Sequence, residues 1–261
     1  MTDTTLTPLG RSAPAGQVVR SQAALEWRLM MANGEQILLT LIIPLVLLVG
    51  LSLTDFVSLG AVGRQARVEL LVPSIMALAV MSSAFTALAI STGFDRRGEA
   101  IKFLGTTPLS RTGLLTAKAL AVLGVQAVQL VIIVAVGAAL GWRPGAGVWW
   151  AIPLVALGTF AFAAWGLVLA GTLRAEATLA LGNAVYLILL LAGGVVIPPD
   201  RFPDPIAAVI SLLPSAALAD GLRAALAPLT DVGVVGVSLL ILTVWGIIGA
   251  VVVQRTFRWT S

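Results

Sequence analysis

Long apolar runs set the pattern of the chain, and short polar segments separate them. A helix that crosses a bilayer needs about 20 predominantly apolar residues, and six runs satisfy this requirement. They lie at about residues 36–54, 69–92, 112–140, 148–173, 178–197 and 233–254. The pattern therefore predicts six transmembrane helices in a single domain over residues 17–261, preceded by a flexible tail at residues 1–16.

The segment ahead of the first run, residues 17–34, distributes its apolar positions with a helical period. Val19, Ala23, Trp27 and Met30 fall on one face. Such a helix suits the membrane interface, where Trp27 would lie at the depth of the lipid headgroups. The same spacing also fits a simple extension of the first span, and both interpretations stay open.

Residues 198–231, between the last two runs, are apolar but contain too many prolines for one straight helix. These prolines are Pro198, Pro199, Pro203, Pro205, Pro214 and Pro228. Proline breaks a helix interior because it lacks a backbone N–H, whereas non-helical backbone is tolerated at membrane depth when it is buried against protein. We therefore predict short re-entrant helices that enter the membrane from its outer side.

The composition agrees with this pattern and excludes several classes of protein. Apolar residues make up 59% of the chain, charged residues make up 11%, and the mean hydropathy is +1.03, whereas soluble domains carry about 25% charged residues. The chain has no cysteine and no histidine, which removes thiolate nucleophiles, imidazole bases and the usual zinc or haem ligands. We expect an all-α integral membrane protein with no catalytic residue and no metal site, and an intramembrane enzyme is disfavoured.

Lys and Arg residues concentrate on one side of the predicted spans. With the N-terminus in the cytoplasm, the inner set is Arg11, Arg20, Arg28, Arg96, Arg97, Lys102, Arg111, Lys118, Arg174, Arg255 and Arg258, and the outer set is Arg64, Arg67, Arg143, Arg201 and Arg223. Cytoplasmic loops carry the excess of Lys and Arg, so we predict a multi-pass protein of the inner (cytoplasmic) membrane with both termini in the cytoplasm. The net charge of +4 then reflects topology, and we expect membrane lipid rather than nucleic acid as a partner.

The densest charge cluster lies between the second and third spans, at residues 95–111. On a helical wheel over residues 94–104, one face carries Phe94, Ile101 and Leu104, and the opposite face carries Asp95, Glu99 and Lys102. Phe103 falls on the charged side, and an exposed aromatic residue bordered by charge is typical of a protein-docking surface. The segment is therefore a short amphipathic cytoplasmic helix, which either binds a partner or only fixes the topology.

Two motifs resemble those of ABC transporter permeases of the type-2 export class, a family that includes drug-efflux and polysaccharide-export permeases. The first motif is DRRGEAIKFLGTTPLSRTGLLTAK, which is similar to the family's cytoplasmic loop between the second and third spans. It matches at Arg97, Gly98, Glu99, Leu104, Thr107, Pro108 and Lys118, and it departs at Phe103, where many relatives carry Leu. The second motif is LLPSAALADGLRAAL, which resembles the segment before the last span and matches at Pro214, Asp220, Leu222 and Arg223.

The resemblance implies one half of an exporter's membrane part, completed by a second permease chain that is identical or related. It also implies two separate ABC ATPase subunits, which bind ATP and Mg²⁺ and contact a coupling helix at residues 94–104. The coupling residues would be Asp95, Arg96, Arg97, Gly98, Glu99, Lys102, Phe103, Leu104 and Pro108. The chain contains no Gly followed by Lys and so lacks the G-x-x-x-x-G-K-[ST] phosphate loop, which agrees with a subunit that is not itself an enzyme and holds no cofactor.

The predicted spans contain few polar residues. Gln126 and Gln129 share a face of the third span, and Asn183 and Tyr186 share a face of the fifth. Such side chains need partners in hydrocarbon, so they either line a translocation path or hold helices together. With no buried charge expected, a path would suit a lipophilic or amphipathic substrate such as a drug, a lipid or a lipid-linked molecule. The alternative function is a structural or assembly subunit that transports nothing.

Overall fold

The structure is a computed structural model, and it describes residues 13–34, 38–54, 63–98, 110–195, 199 and 202–257 of the 261-residue chain. Every secondary-structure element in these ranges is helical. The prediction of an all-α fold is therefore confirmed. Most of the predicted N-terminal tail, and residues 99–109 of the charged segment, lie outside the described residues.

Ten α-helices follow one another along the described chain. They are α1 (Ala15–Ala32), α2 (Ile43–Leu53), α3 (Arg64–Met81), α4 (Leu88–Arg97), α5 (Arg111–Ala139), α6 (Ala151–Thr172), α7 (Ala175–Ala192), α8 (Asp204–Ser211), α9 (Pro214–Leu226) and α10 (Val232–Thr256). A π-helical turn at Leu38–Ile42 precedes α2, a second one at Ser82–Ala87 joins α3 to α4, and a 3₁₀ turn at Ala146–Trp150 precedes α6.

The starts of the longest helices follow ordinary capping chemistry. The Ser110 hydroxyl accepts a hydrogen bond from the Gly113 N–H at 3.0 Å, and the Asp231 carboxylate accepts one from the Val234 N–H at 3.1 Å. Each side chain thereby satisfies one of the N–H groups that a helix N-terminus leaves without a partner. Helix α9 begins at Pro214, where the missing N–H costs nothing.

Helix α4 continues the second span instead of forming a helix of its own. From Arg64 to Arg97 the chain is one helix of 34 residues that includes the π-helical turn. The sequence placed the end of the span near residue 92 and the start of a separate helix at residue 94. The helix runs on because Gly93 packs against α7, with Thr178 and Ala175 as its nearest neighbours, and because the Gly98 N–H still donates to the Phe94 carbonyl at 2.8 Å.

Five of the described helices are long and apolar enough to cross a membrane. They are Arg64–Arg97, Thr112–Ala139, Ala146–Thr172, Ala175–Ala192 and Val232–Thr256. The pair formed by α8 and α9 would add a sixth if it counted as one span, but the two helices meet at a bend of 87°. The apolar helix Thr40–Leu53, which falls in the first predicted span, is shorter than these.

The packing places α3 and α9 inside the bundle and α7 at its edge. In the span that contains α3, 78% of the most apolar window is buried, whereas only 17% is buried in α7. Helix α9 packs against α3, α6 and α10, α10 lies along α6, and α1 lies along α5. Trp27 of α1 lies so close to Gly124 of α5 that a Cβ atom at Gly124 would approach the indole to 2.8 Å.

Gly166 allows a close backbone approach between α6 and the π-helical turn at Ser82–Ala87. A Cβ atom at this position would lie 2.8 Å from the carbonyl oxygen of Phe85. We expect Gly166→Ala to lower the free energy of unfolding by about 1–3 kcal/mol, because the backbone of a packed core must shift. Gly236 is the matched control, since a Cβ atom there meets nothing within 4 Å and alanine is the better helix former by about 0.8–1.0 kcal/mol.

Thermal unfolding in detergent micelles measures both substitutions under the same conditions. Gly166→Ala should melt below the wild-type protein, and Gly236→Ala should melt at or above it. Equal melting temperatures for the two variants would contradict the close approach of α6 to the π-helical turn.

Candidate functional site at the charged end of the bundle

The last turn of α4 carries three consecutive charged residues, and each is bound to a different part of the protein. Asp95 pairs with Lys118 of α5, Arg96 binds the end of α6, and Arg97 pairs with Glu176 of α7. The sequence predicted these side chains as a surface for a partner protein. The structure connects each of them to a neighbouring helix, and we refer to Asp95, Arg96, Arg97 and their partners as the charged end.

Lys118 is a buried cation held by two carboxylates. Its Nζ atom lies 2.8 Å from Oδ2 of Asp95 and 3.0 Å from Oε2 of Glu26, and its side chain is only 1% exposed. The other carboxylate oxygen of Glu26 accepts a hydrogen bond from the Gln22 amide at 2.9 Å. Burial of a charge is tolerated when the charge is paired and hydrogen-bonded, so this triad fastens α1, α4 and α5 together.

The triad corrects the expectation that the predicted spans contain no buried charge. Lys118 lies inside the candidate span Thr112–Ala139, and its counterions come from α1 and from the last turn of α4. The residue missed by sequence reasoning is Glu26, which is separated from Lys118 by 92 positions. The sequence gives only a weak indication that Glu26 is held in place, namely that Gln22 precedes it by one helical turn on α1 and can hydrogen-bond to it.

Arg96 closes the C-terminal end of α6. Its guanidinium donates to the carbonyl oxygen of Leu173 at 3.1 Å and to that of Ala170. The last carbonyl groups of a helix have no partner within the helix, and a cation near a helix C-terminus also interacts favourably with the helix dipole. Arg96 is only 6% exposed, and in this structure it links α4 to α6; its contact with an ATPase stays a prediction.

Arg97 and Glu176 form the exposed part of the charged end. Their side chains are ion-paired and each is 63% exposed. Glu176 lies in the first turn of α7, where a carboxylate is favoured by the helix dipole. An exposed pair of this kind contributes at most about 1 kcal/mol to stability, so it is a weak link between α4 and α7.

The remaining coupling residues divide between the described and the undescribed parts of the chain. Gly98 ends the described helix as its C-cap. The other five predicted residues lie outside the described residues: Glu99, Lys102, Phe103, Leu104 and Pro108.

The two amides of the third predicted span are buried and hydrogen-bonded to neighbouring helices. Gln126 donates to Ser83 Oγ at 3.0 Å and to the Val80 carbonyl at 3.3 Å, and it accepts from Thr159 at 2.5 Å. Gln129 donates to the Thr40 carbonyl at 2.9 Å. Both amides are buried, and these bonds connect α5 to the π-helical turns and to α6, as interhelical contacts do.

The fifth predicted span, α7, carries the other two polar residues. Asn183 is exposed and Tyr186 is half-buried, and the Tyr186 hydroxyl interacts with the Ser82 side chain. Tyr186 and Gln126 thus both reach the π-helical turn at Ser82–Ala87, through the adjacent residues Ser82 and Ser83, whereas Asn183 is exposed.

Arg223 hydrogen-bonds to several elements at the end of the bundle opposite the charged end. Its guanidinium donates to Ser74 Oγ at 3.0 Å, to the Gly194 carbonyl at 3.1 Å and to Asp220 at 2.7 Å, and it also donates to the Val195 carbonyl. These bonds connect α9 to α3 and to the segment after α7. Pro214 is buried at the first position of α9, so Pro214, Asp220 and Arg223, three of the four residues noted in the second motif, fix the position of this short helix; the fourth, Leu222, is fully buried.

Together, the apolar helices and the ion pairs at their ends define a multi-span helical membrane protein. Residues 62–253 match the family model described as ABC-2 family transporter protein, and this match covers most of the chain. The chain therefore belongs to the ABC-2 transporter family, which confirms the resemblance seen in the two motifs. A comparison with curated proteins returns no match.

Family membership defines the general role of the chain. It is a multi-pass membrane protein and a permease subunit of an ABC transporter, and an ABC ATPase is its partner. Permeases of this family typically carry no ATPase site of their own.

Proposed function

We propose that the chain is the membrane half of an ATP-driven exporter in the cytoplasmic membrane. It moves a lipophilic or amphipathic molecule outward, together with a second permease chain that is identical or related. Two ATPase subunits supply the energy and bind ATP and Mg²⁺. The charged end lies on the cytoplasmic side, in agreement with the distribution of Lys and Arg along the sequence.

One observation carries this proposal, namely that the last turn of α4 is connected to four other helices through ion pairs and a buried arginine. Lys118 connects it to α5 and α1, Arg96 connects it to α6, and Arg97 connects it to α7. A partner that displaces the segment after Gly98 would therefore pull on five helices at once. Discrete packed contacts of this kind are what transmit a movement between distant sites.

The proposal divides the predicted coupling residues into two groups with different tasks. Glu99, Lys102, Phe103, Leu104 and Pro108 contact the ATPase, with Phe103 and Leu104 as apolar anchors and the charges setting the register. Asp95, Arg96 and Arg97 transmit the movement to the bundle through the contacts described above.

The exposed apolar surface of helix α7 supports the proposal of a second permease chain. It is the least buried of the five candidate spans, and it exposes the Asn183 amide beside Leu179 and Leu187. An amide that faces lipid has no hydrogen-bond partner, whereas protein or a cavity can supply one. We place the partner permease, or the transported molecule, against this face.

The test is a mild-detergent pull-down of the tagged chain from its native membranes, followed by an ATP hydrolysis assay on the eluate. The expected result is a co-purified ABC ATPase. If the chain is recovered alone, or only with membrane proteins that are not ATPases, the exporter hypothesis is wrong and the alternative, a structural or assembly subunit, is favoured.

Phe103→Asp should weaken ATPase binding about 30-fold and lower the recovered ATPase accordingly, because loss of an apolar anchor at an interface costs about 2 kcal/mol. The matched control is Phe103→Leu, which keeps an apolar side chain and should keep the ATPase bound. Membrane insertion of both variants is checked by the yield of the folded chain. Equal ATPase recovery with Asp and Leu at this position would show that Phe103 is not part of the docking surface.

A further inference from the structure

Helix α1 has a buried side, which faces α5, and an exposed side. Glu26 and Met30 are buried, whereas Leu25 and Leu29, one helical turn apart, are 50% and 58% exposed. Apolar side chains on one face of a helix that borders membrane spans are favourable against lipid and unfavourable against water. The exposed side of α1 is therefore suited to contact with acyl chains.

Two arginines share this exposed side with the leucines. Arg20 and Arg28 lie about two helical turns apart, and both are exposed. Neither has an ion pair within the part of the chain that the structure describes. The one carboxylate of α1, Glu26, is on the buried side and is paired with Lys118. The exposed side thus carries positive charge that no described carboxylate balances.

The end of α10 indicates the depth at which α1 begins. An exposed apolar row runs along α10 and consists of Val244, Ile248 and Val251. Arg255 follows this row one turn later and is exposed, and a cation that ends a lipid-facing row is typical of the headgroup level. Two residues further on, Phe257 packs against Leu114 of α5 together with Val18 and Val19 of α1. The start of α1 is therefore at the headgroup level.

From this level, α1 runs beside α5 in the same direction. Its contacts move from Leu114, near Val19, to Gly124, near Trp27, and both α5 residues lie inside the candidate span Thr112–Ala139. Arg28 follows Trp27 and so lies close to acyl chains, where a cation without a counterion is costly. Its long side chain can extend back to the phosphate groups of the lipid.

We propose that the exposed side of α1 binds anionic phospholipid, with phosphate groups at Arg20 and Arg28 and acyl chains along Leu25 and Leu29. A guanidinium group binds phosphate through two parallel hydrogen bonds. An anionic headgroup is preferred over phosphatidylcholine, because the choline cation offsets the phosphate charge. This surface goes beyond the proposed export function and does not depend on it, since lipid binding requires neither ATP nor the ATPase.

The test measures which lipid lies next to α1 in nanodiscs made of phosphatidylglycerol and phosphatidylcholine in equal parts. The chain has no cysteine, so Ala24→Cys, at an exposed position between the two arginines, can carry an uncharged bimane dye. A nitroxide quencher is placed on the acyl chain of a small, equal fraction of either lipid, so that the overall composition stays the same.

Nitroxide-labelled phosphatidylglycerol should quench the dye more strongly than nitroxide-labelled phosphatidylcholine. The expected local enrichment is about fivefold, the factor that corresponds to about 1 kcal/mol for an arginine near an anionic surface. The enrichment should fall at high ionic strength. Equal quenching by the two lipids would overturn the proposal.

The double variant Arg20→Gln, Arg28→Gln should lower the enrichment to about one, whereas Arg20→Lys, Arg28→Lys should keep most of it. Arg143→Gln is the matched control, because it removes an exposed cation that lies outside α1, and it should leave the enrichment unchanged. Thermal unfolding in the same nanodiscs checks that each variant is folded. Enrichment that persists in the folded double glutamine variant would overturn the assignment of the two arginines.

The other possible occupant of this surface is the ATPase. The same measurement on the complex that co-purifies from native membranes distinguishes the two. Preferential quenching by phosphatidylglycerol should persist in the complex. If the ATPase abolishes quenching by both lipids, it covers α1, and the lipid-binding surface is wrong.

Discussion

Lys118→Met should lower the free energy of unfolding by about 3–5 kcal/mol, because removal of one partner of a buried ion pair leaves an uncompensated buried charge. Glu26 would lose the cation 3.0 Å from its carboxylate, in a position that is almost fully buried. Methionine keeps most of the length of the lysine side chain, so the loss measures the charge rather than a cavity. Unfolding of the purified chain by denaturant in mixed micelles gives the value.

Two further variants distinguish the loss of stability caused by breaking the triad from the loss that any Lys or Arg to Met substitution would cause. Arg143→Met removes an exposed cation in the segment after α5 and should change stability by no more than about 0.5 kcal/mol. The triple variant Glu26→Gln, Asp95→Asn and Lys118→Met removes all three charges and should recover most of the lost stability. A Lys118→Met chain as stable as Arg143→Met would show that the triad does not hold α1, α4 and α5 together.

The fold class could be predicted from the sequence because the signal is local. An apolar run of about 20 residues has few alternatives to a membrane helix, and the prolines around Pro203 and Pro214 indicate a break, which the structure shows as the 87° bend between α8 and α9. The need of buried amides for partners was also predictable, since Gln126 has no other way to satisfy its hydrogen bonds in an apolar interior.

The charged end could not be predicted in detail because its contacts are not local. A helical wheel treats residues 94–104 as an isolated helix and leaves every charged side chain facing solvent or a partner. In the structure, α4 packs against α6 and α7, so Arg96 faces the end of α6 and is buried there. No periodicity indicates that Glu26 and Lys118, 92 positions apart, would share one ion pair.

The contacts of the charged end with neighbouring helices suggest a second role for the charged residues of the first family motif. Asp95, Arg96 and Arg97 were predicted with the other coupling residues of the loop motif to contact the ATPase, and the structure shows that each also contacts a neighbouring helix. A charged motif next to a docking segment can thus serve to hold that segment against the bundle. The distinction has an experimental consequence, because a docking residue is needed for ATPase binding, whereas a transmitting residue is needed only for the movement after the ATPase has bound.

Arg96→Met should leave the ATPase bound and active while the permease no longer responds to ATP. The substitution removes the charge-assisted hydrogen bonds to Ala170 and Leu173, and since each such bond contributes about 1.5–3 kcal/mol, α4 and α6 would cease to move as one unit. The chain has no cysteine, so a single Trp149→Cys substitution, at an exposed position before α6, can carry an environment-sensitive dye. In the purified complex, ATP should change the dye fluorescence with Arg96 present and should produce no change above baseline with methionine.

Arg97→Met is the matched control, because its ion pair with Glu176 is 63% exposed on both sides and contributes at most about 1 kcal/mol. This variant should keep the ATPase and most of the fluorescence change, because Arg96 and Lys118 still connect α4 to α6, α5 and α1 and only the exposed contact to α7 is lost. If Arg96→Met also kept the full response, the link between α4 and α6 would be structural only, and the movement would have to pass through Lys118. If Arg96→Met lost the ATPase itself, Arg96 would belong to the docking surface after all, and its side chain would have to leave its buried position when the partner binds.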